Sequence, residues 1–183
     1  MDYLETREDL DSARVCVTGH SRLGKAALWC GAQDERFSMT IADNSGCSGA
    51  ALLRCKIGES IEVIAKRFPF WFCGSYQAWR GREDEAPFDQ HMLIALCAPR
   101  KVYVSSASLD DWADPESKYL GCAAASPAWR MHRVPGLIAP NDLTTAGTLL
   151  TDGGVCCHLR EGTHFYSRTD WLWHMTCRER FPV

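Results

Sequence analysis

A serine in a short, glycine-flanked turn is the first candidate for chemistry in this chain. Gly19 precedes Ser21 by two residues and Gly24 follows it by three. The pattern is therefore G-x-S-x-x-G, one residue longer than the usual G-x-S-x-G of a nucleophile elbow. Small residues are needed there because the chain reverses sharply between a strand and a helix. The alternative is that Ser21 only caps the helix that follows.

A serine nucleophile needs a general base, and the base needs an acid that orients it. His164 lies in a glycine-containing loop just after a short apolar run, and three aspartates, Asp110, Asp111 and Asp114, follow an earlier apolar run. This is the order serine, acid, histidine that is typical of α/β hydrolases. The sequence therefore predicts acyl transfer through Ser21 and His164. The choice of acid stays open, and the alternative for the histidine is an exposed loop residue.

The elements that must position these residues alternate between strands and helices. Apolar runs predict strands over residues 13–18, 37–42, 101–106 and 155–159. Helical spacing predicts helices over residues 25–33, 59–66, 89–97, 116–124 and 169–178. This alternation favours a mostly parallel sheet covered on both faces, an α/β three-layer sandwich. Residues 68–87 and 134–154 are predicted to be irregular, and four strands indicate a larger parent sheet.

Length and composition bound the class of protein. The chain has 183 residues, of which 46% are hydrophobic and 23% are charged, with a net charge of −3. These values are ordinary for a globular domain and provide no basic surface for nucleic acid. No apolar run reaches the roughly 18 residues of a membrane-spanning helix. Ten cysteines occur without a C-x-x-C pair, so we expect no metal and no cofactor, and disulfide connectivity stays open.

Seven segments, taken in order, resemble the glucuronoyl esterases, also called 4-O-methyl-glucuronoyl methylesterases. The resemblance covers Thr18 to Lys25, Asn44 to Ala51, Phe68 to Phe72, Pro87 to His91, Ala98 to Arg100, Ala107 to Pro115, and Arg160 to His164 with Asp170 and Trp171. Each segment alone is weakly specific, whereas the ordered set spans nearly the whole chain. The resemblance implies a carbohydrate esterase with an α/β-hydrolase fold.

This resemblance assigns catalytic roles. Ser21 matches the nucleophile, His164 matches the catalytic histidine, and Arg22 matches an arginine that stabilises the oxyanion beside backbone donors. The acid departs from the fungal pattern, because Asn44 occupies the place of a glutamate and an amide cannot balance an imidazolium charge. Some bacterial members use an acid after the next strand, which implies Asp110.

Three other carboxylates are alternatives for the acid. Asp114 is the second choice, because it follows the same strand as Asp110. Asp43, next to Asn44, is the third choice. Glu161 is close to the histidine in sequence, but its loop position disfavours it.

The resemblance also implies residues that bind substrate. Lys25 matches a lysine that hydrogen-bonds sugar hydroxyls, Trp112 resembles a tryptophan that contacts the glucuronoyl ring, and Glu59 matches a sugar-binding acid more loosely. Sugar sites combine a planar apolar face with charged hydrogen-bonding groups. The alternatives are a solvated Lys25 on its helix and a Trp112 that only packs a loop.

Together these residues predict a serine hydrolase that cleaves glucuronoyl esters, of the kind that join glucuronoxylan to lignin, through an acyl-enzyme. The partner would be a glucuronoxylan-derived saccharide ester, with no nucleic acid and no membrane; the oligomeric state stays open. One alternative is an acetylxylan esterase or a related carbohydrate esterase. The other is a catalytically incomplete fragment that binds carbohydrate.

The serine turn comes only about 20 residues after the start of the chain, whereas several strands precede it in the resembling fold. Residues 1–183 are therefore expected to form the C-terminal catalytic part of a single α/β-hydrolase domain, with the N-terminal strands missing. The first residues, Met1 to Glu5, are too polar for a signal peptide. The polymeric substrate nevertheless predicts an extracellular or periplasmic location for the full-length parent.

Overall fold

The computed structural model describes residues 1–54, 57–139 and 145–180. In these ranges the strands are β1 (Cys16–His20), β2 (Met39–Asp43), β3 (Lys101–Ala107), β4 (Thr148–Leu150) and β5 (Val155–Arg160). The helices are α1 (Asp2–Glu5), α2 (Arg22–Gln33), α3 (Ile61–Arg67), α4 (Gly74–Gln77), α5 (Gln90–Ala95), α6 (Pro115–Met131) and α7 (Arg168–Glu179). Short 3-10 turns cover Ser12–Arg14, Glu83–Glu85 and Asp111–Ala113.

The strands form one sheet in the order β1-β2-β3-β5-β4. All neighbouring pairs are parallel except β4 with β5. Each parallel pair is joined through helices, because parallel strands need a long crossover connection. The α/β class with a mostly parallel sheet is therefore confirmed, and the four predicted strands are present with boundaries shifted by a few residues.

The expectation that all of residues 134–154 form a loop is wrong, and the described sheet has a fifth strand. Strand β4 lies inside residues 134–154, which were predicted to form a loop. It has three residues, all of them half-buried, so it lacks the apolar run or clear alternation by which strands are detected in a sequence. It pairs antiparallel with β5, with Leu149 opposite His158. Residues 140–144 of the predicted loop lie outside the described residues.

Side chains alternate across the sheet and separate two apolar layers. On β3, Val102 and Val104 face the layer formed with α2, α5 and α6, where Leu28 and Trp129 are fully buried. Tyr103, between the two valines, faces the other layer, which contains a cysteine of α7. Each fully buried apolar side chain of this size contributes roughly 1.5–3 kcal/mol. The two layers make the sheet a rigid support for the loops at its ends.

Helix α6 is longer than predicted, since it covers Pro115–Met131 rather than residues 116–124. Asp114 caps its first turn, and proline at the first position suits the start of a helix. The helix continues through Pro127 because Trp129 is fully buried and donates its indole N–H to the backbone carbonyl just before β3 at 3.0 Å. Neither α6 nor any other helix of the described ranges is long and apolar enough to cross a membrane.

The loops after β1, β2, β3 and β5 leave the same edge of the sheet, because the carboxyl ends of parallel strands lie together. Ser21 follows β1, Asn44 follows β2, Asp110 follows β3 and His164 follows β5. In open α/β sheets this edge is where ligands bind. The fold therefore brings residues that are more than 140 positions apart in sequence to one place.

Candidate active site

The turn after β1 holds Ser21 in a backbone conformation that few residues adopt. Its φ and ψ are 58° and −123°, and such strain is typical of a nucleophile at a strand-to-helix turn. A Cβ on Gly19 would lie 2.1 Å from the carbonyl oxygen of Leu23, and one on Gly24 would lie 2.8 Å from that of Asp43. Both glycines are thus required at the positions that the longer G-x-S-x-x-G spacing provides.

Ser21, His164 and Asp110 come together in one line of hydrogen bonds. Nδ1 of His164 lies 2.7 Å from Oδ2 of Asp110, and Nε2 lies 2.9 Å from Oγ of Ser21. An ionised carboxylate only accepts hydrogen bonds, so Nδ1 carries the ring proton and Nε2 accepts from the serine hydroxyl. This geometry allows a histidine base to remove the serine proton.

Asp110 is almost fully buried, yet it is held in its ionised form. Burial alone would raise its pKa. The hydrogen bond from His164, the charges of His164 and Lys118, and the backbone N–H of Ala113 outweigh that effect and hold the pKa of Asp110 below its usual value. An ionised acid at this point stabilises the imidazolium that forms when the histidine takes up a proton.

The other candidate acids lie elsewhere. Asp114 caps α6 and also accepts a hydrogen bond from the backbone N–H of Ile57 at 2.9 Å. The fully buried Asp43 pairs with Nδ1 of His20 at 2.5 Å. Glu161 is exposed to solvent. The structure therefore brings the first choice of acid, and neither of the two aspartate alternatives, to His164.

The first turn of α2 offers donors for an oxyanion. Arg22 is the first residue of this helix, and backbone N–H groups in a first turn have no partner within the helix. The helix dipole adds positive potential at the same place. The side chain of Arg22 is exposed, and its guanidinium lies 5.8 Å from the ring centre of Trp71. The arginine thus adds charge along an aromatic rim of the site.

A cavity of about 490 Å³ opens in front of the serine and the histidine, and Lys25, Glu59 and Trp112 all line it. Nζ of Lys25 lies 2.8 Å from Oε2 of Glu59 and donates to two backbone carbonyls at 2.6 Å. This ion pair is therefore rigid. Trp112 is 44% exposed, which leaves an indole surface open to a ligand. Fixed charges beside an open aromatic face suit a sugar.

Several residues of the site were assigned no role from the sequence. Phe68 and Trp71 line the same cavity with their ring centres 3.9 Å apart. They lie in the resembling segment Phe68 to Phe72, which could have indicated them. His20 also lines the cavity, and its ring lies 4.8 Å from that of His164. Its only sequence signal was its place directly before the serine.

A second group of ionisable side chains is buried where α7 meets the ends of β2 and β5. Asp43, His158 and Asp170 each place one potential ligand atom within 4.8 Å of the others. The two ring nitrogens of His158 are engaged by Tyr103 and Asp170 at 2.8 Å, and Nε of Arg160 donates to both oxygens of Asp170. The guanidinium already supplies the positive charge, so these residues fit an ion-pair network better than a metal site.

Comparisons with known proteins identify the family to which the chain is similar. The family description "Glucuronyl esterase, fungi" matches residues 1–133. A carbohydrate esterase from an unknown prokaryotic organism is 46% identical over 176 residues, which cover 93% of this chain and 39% of that protein. The chain thus spans about two fifths of the length of this curated relative.

Solved structures define the class of fold and then the family. A promiscuous CE15 esterase from the marine bacterial metagenome has a TM-score of 0.94 at 44% identity, covering 97% of this chain and 44% of that one. A glucuronoyl esterase from Solibacter usitatus has a TM-score of 0.91 at 44% identity, covering 97% and 45%. The mostly parallel sheet, the sharp turn at Ser21 and the related solved structures are those of an α/β hydrolase. The chain belongs to the glucuronoyl esterase family.

Proposed function

We propose that this chain carries the catalytic residues of a serine carboxylic-ester hydrolase that acts on glucuronoyl esters. The observation that carries the proposal is the line of hydrogen bonds from Ser21 through His164 to Asp110, at 2.9 and 2.7 Å. These groups face a cavity with room for a sugar. Membership of the family supports the same chemistry.

In the proposed reaction, Oγ of Ser21 attacks the ester carbonyl while its proton passes to Nε2 of His164. The backbone N–H of Arg22 stabilises the resulting oxyanion, and the guanidinium adds positive charge nearby. His164 gives its proton to the departing alcohol and leaves the uronoyl group on the serine. Water, deprotonated by His164, then attacks this acyl-enzyme, and His164 returns the proton to Oγ of Ser21 as the uronic acid leaves. Asp110 balances the imidazolium charge in both halves.

The proposed substrate is a glucuronoyl ester of a xylan-derived saccharide with a lignin-type alcohol. When the acyl group is itself a sugar, the enzyme needs hydrogen-bonding groups and a flat apolar face beside the carbonyl carbon. Lys25 and Glu59 supply the first, and Trp112 supplies the second. The acid released is an anion, which favours the presence of Arg22 and Lys25 near the point where it forms. Such a polymer lies outside the cell, so an extracellular or periplasmic location is part of the proposal.

An acetyl ester of xylan is the second candidate substrate. One related structure at 44% identity is that of an esterase described as promiscuous, which favours including esters with a small acyl group. An acetyl group would use none of the sugar contacts of Lys25, Glu59 or Trp112. The relative rates on the two kinds of ester therefore separate the candidates.

The experiment compares hydrolysis of methyl or benzyl glucuronate with hydrolysis of an acetyl ester. We expect the uronate ester to be preferred, and Ser21→Ala to lose at least about a thousandfold in kcat/KM. Ser75→Ala, at an exposed position on α4, is the matched control and should keep its activity. Undiminished uronate hydrolysis by Ser21→Ala would contradict the proposed nucleophile, and a preference for the acetyl ester would select the second candidate.

A further inference from the structure

A lysine lies fully buried against Asn44, which lines the same cavity as Ser21 and His164. Lys118 on α6 is 0% exposed, and its Nζ donates to the carbonyl of Ser105 at 3.1 Å and to Oδ1 of Asn44 at 3.3 Å. Both acceptors are neutral. In the described part of the chain, Lys118 forms no ion pair within 4.0 Å. Burying an ammonium group without a direct carboxylate partner is unfavourable, so a buried lysine of this kind calls for a functional reason.

The charged groups around Lys118 keep it protonated at neutral pH. Burial lowers the pKa of Lys118 to about 8, and the charge of Lys25 acts in the same direction, while the carboxylates of Asp110, Asp43 and Asp114 oppose both. The charge of Lys118 also acts on His158, which lies on β5, and on Cys122, which lies on α6 itself. Below about pH 8 the group is therefore a cation inside the protein, where charges act over longer distances than in water.

Asn44 connects this cation to the other side of the site. Its Oδ1 accepts from Lys118, and its Nδ2 donates to Oδ2 of Asp43 at 3.4 Å. Asp43 in turn holds His20, whose ring lies 4.8 Å from that of His164. An amide can both accept and donate in this way, whereas a carboxylate at position 44 would face Asp43 with like charge.

We propose that Lys118 is a positioning residue whose buried ammonium group keeps the Asp110–His164 couple free of an additional proton and thereby sets the low-pH limit of catalysis. The inference rests on the proposed function, because it concerns the same couple. A nearby cation disfavours protonation of both members, since either protonation adds positive charge to the buried cluster. Lys118 thus acts on the reaction through Asp110 and His164 rather than by touching the substrate.

The test removes the charge and follows the reaction of Ser21 with a fluorophosphonate as a function of pH. Lys118→Met is compared with the wild-type chain and with Lys66→Met, which removes a lysine from an exposed position on α3. We expect the acid limb of Lys118→Met to move upward by about one pH unit, so that labelling near pH 5 falls about tenfold. At pH 9 the rates should agree within about twofold, because Lys118 has by then lost its charge in the wild type.

Lys66→Met should reproduce the wild-type profile. A loss that is uniform with pH, or an unshifted acid limb in Lys118→Met, would overturn the proposal. If Lys118→Met does not fold, Lys118→Gln keeps a donor without a charge and should show the same shift. Failure of both to fold would make Lys118 a folding residue and would also overturn it. Labelling needs no sugar ester, so the two proposals can fail separately. A chain that does not hydrolyse glucuronoyl esters would contradict the proposed function. An unshifted pH profile of labelling would contradict the role of Lys118.

Discussion

Replacing Asp110 with asparagine tests its proposed role as the catalytic acid. The amide keeps the shape of the side chain, but its N–H would donate to Nδ1 of His164 and move the ring proton to Nε2, where Ser21 then finds no acceptor. In Ser-His-Asp enzymes this wrong tautomer lowers kcat by roughly 10⁴-fold. The side chain of His164 is 36% exposed, so water offsets part of the effect. We expect a loss of about a thousandfold, or about 4 kcal/mol.

The assay is hydrolysis of a methyl glucuronate ester, with unfolding in denaturant measured alongside. Asp114→Asn is the matched control, because Asp114 was the alternative acid and instead caps α6. It should stay within about threefold of the wild-type rate and lose about 1 kcal/mol of stability, because an amide replaces only one of the two carboxylate oxygens that accept from Ser117 and Ile57. An equal loss of activity in both variants, or an active Asp110→Asn, would refute the assignment of the acid.

Three further predictions concern the elbow, the sugar contacts and a buried histidine. Gly19→Ala should lose at least about a hundredfold in activity, since its Cβ would lie 2.1 Å from a backbone oxygen and displace the nucleophile. The pair Lys25→Met with Glu59→Gln should raise KM for uronate esters about tenfold and leave acetyl ester hydrolysis unchanged. His174→Gln should flatten the dependence of stability on pH: burial and the neighbouring His158 lower the pKa of His174 to about 4. The unfolded chain therefore takes up a proton first, and about 3 kcal/mol of stability is lost as the pH falls from about 6.5 to 4.

Each of these predictions has a control in the same chain. Gly74→Ala, where an added Cβ meets nothing within 4 Å, should keep its activity; equal damage in both glycine variants would contradict the steric argument. His132→Gln, at an exposed position, should retain the wild-type pH dependence of unfolding. A KM for acetyl esters that rises in parallel with that for uronate esters would show that Lys25 and Glu59 support the site generally.

The main strands and helices were predictable because they bury continuous apolar runs. The runs that became β3 and β5 stand between helices, and that alternation is sufficient to indicate a parallel sheet. Strand β4 was not predictable, because it exists through its pairing with β5 rather than through its own three residues. The end of α6 was missed for a similar reason, since the burial of Trp129 outweighs the proline that precedes it.

The sequence predicted the three side chains that the structure joins by hydrogen bonds, and not their surroundings. Chain order and turn chemistry indicated Ser21 and His164, and the resemblance indicated Asp110. Nothing in the sequence indicated that Asn44 would accept from Lys118, because these two residues are 74 positions apart. The contact depends on packing of α6 against the ends of two strands, which is a tertiary effect.

The central claim is that His164 makes Ser21 a nucleophile. The most direct test is to incubate the chain with a fluorophosphonate and to map the adduct by mass spectrometry. The account predicts one phosphonyl group, located on Ser21, and a labelling rate that falls at least about a thousandfold in His164→Ala. A folded chain that remains unlabelled, or one that labels Ser21 equally fast without His164, would contradict it.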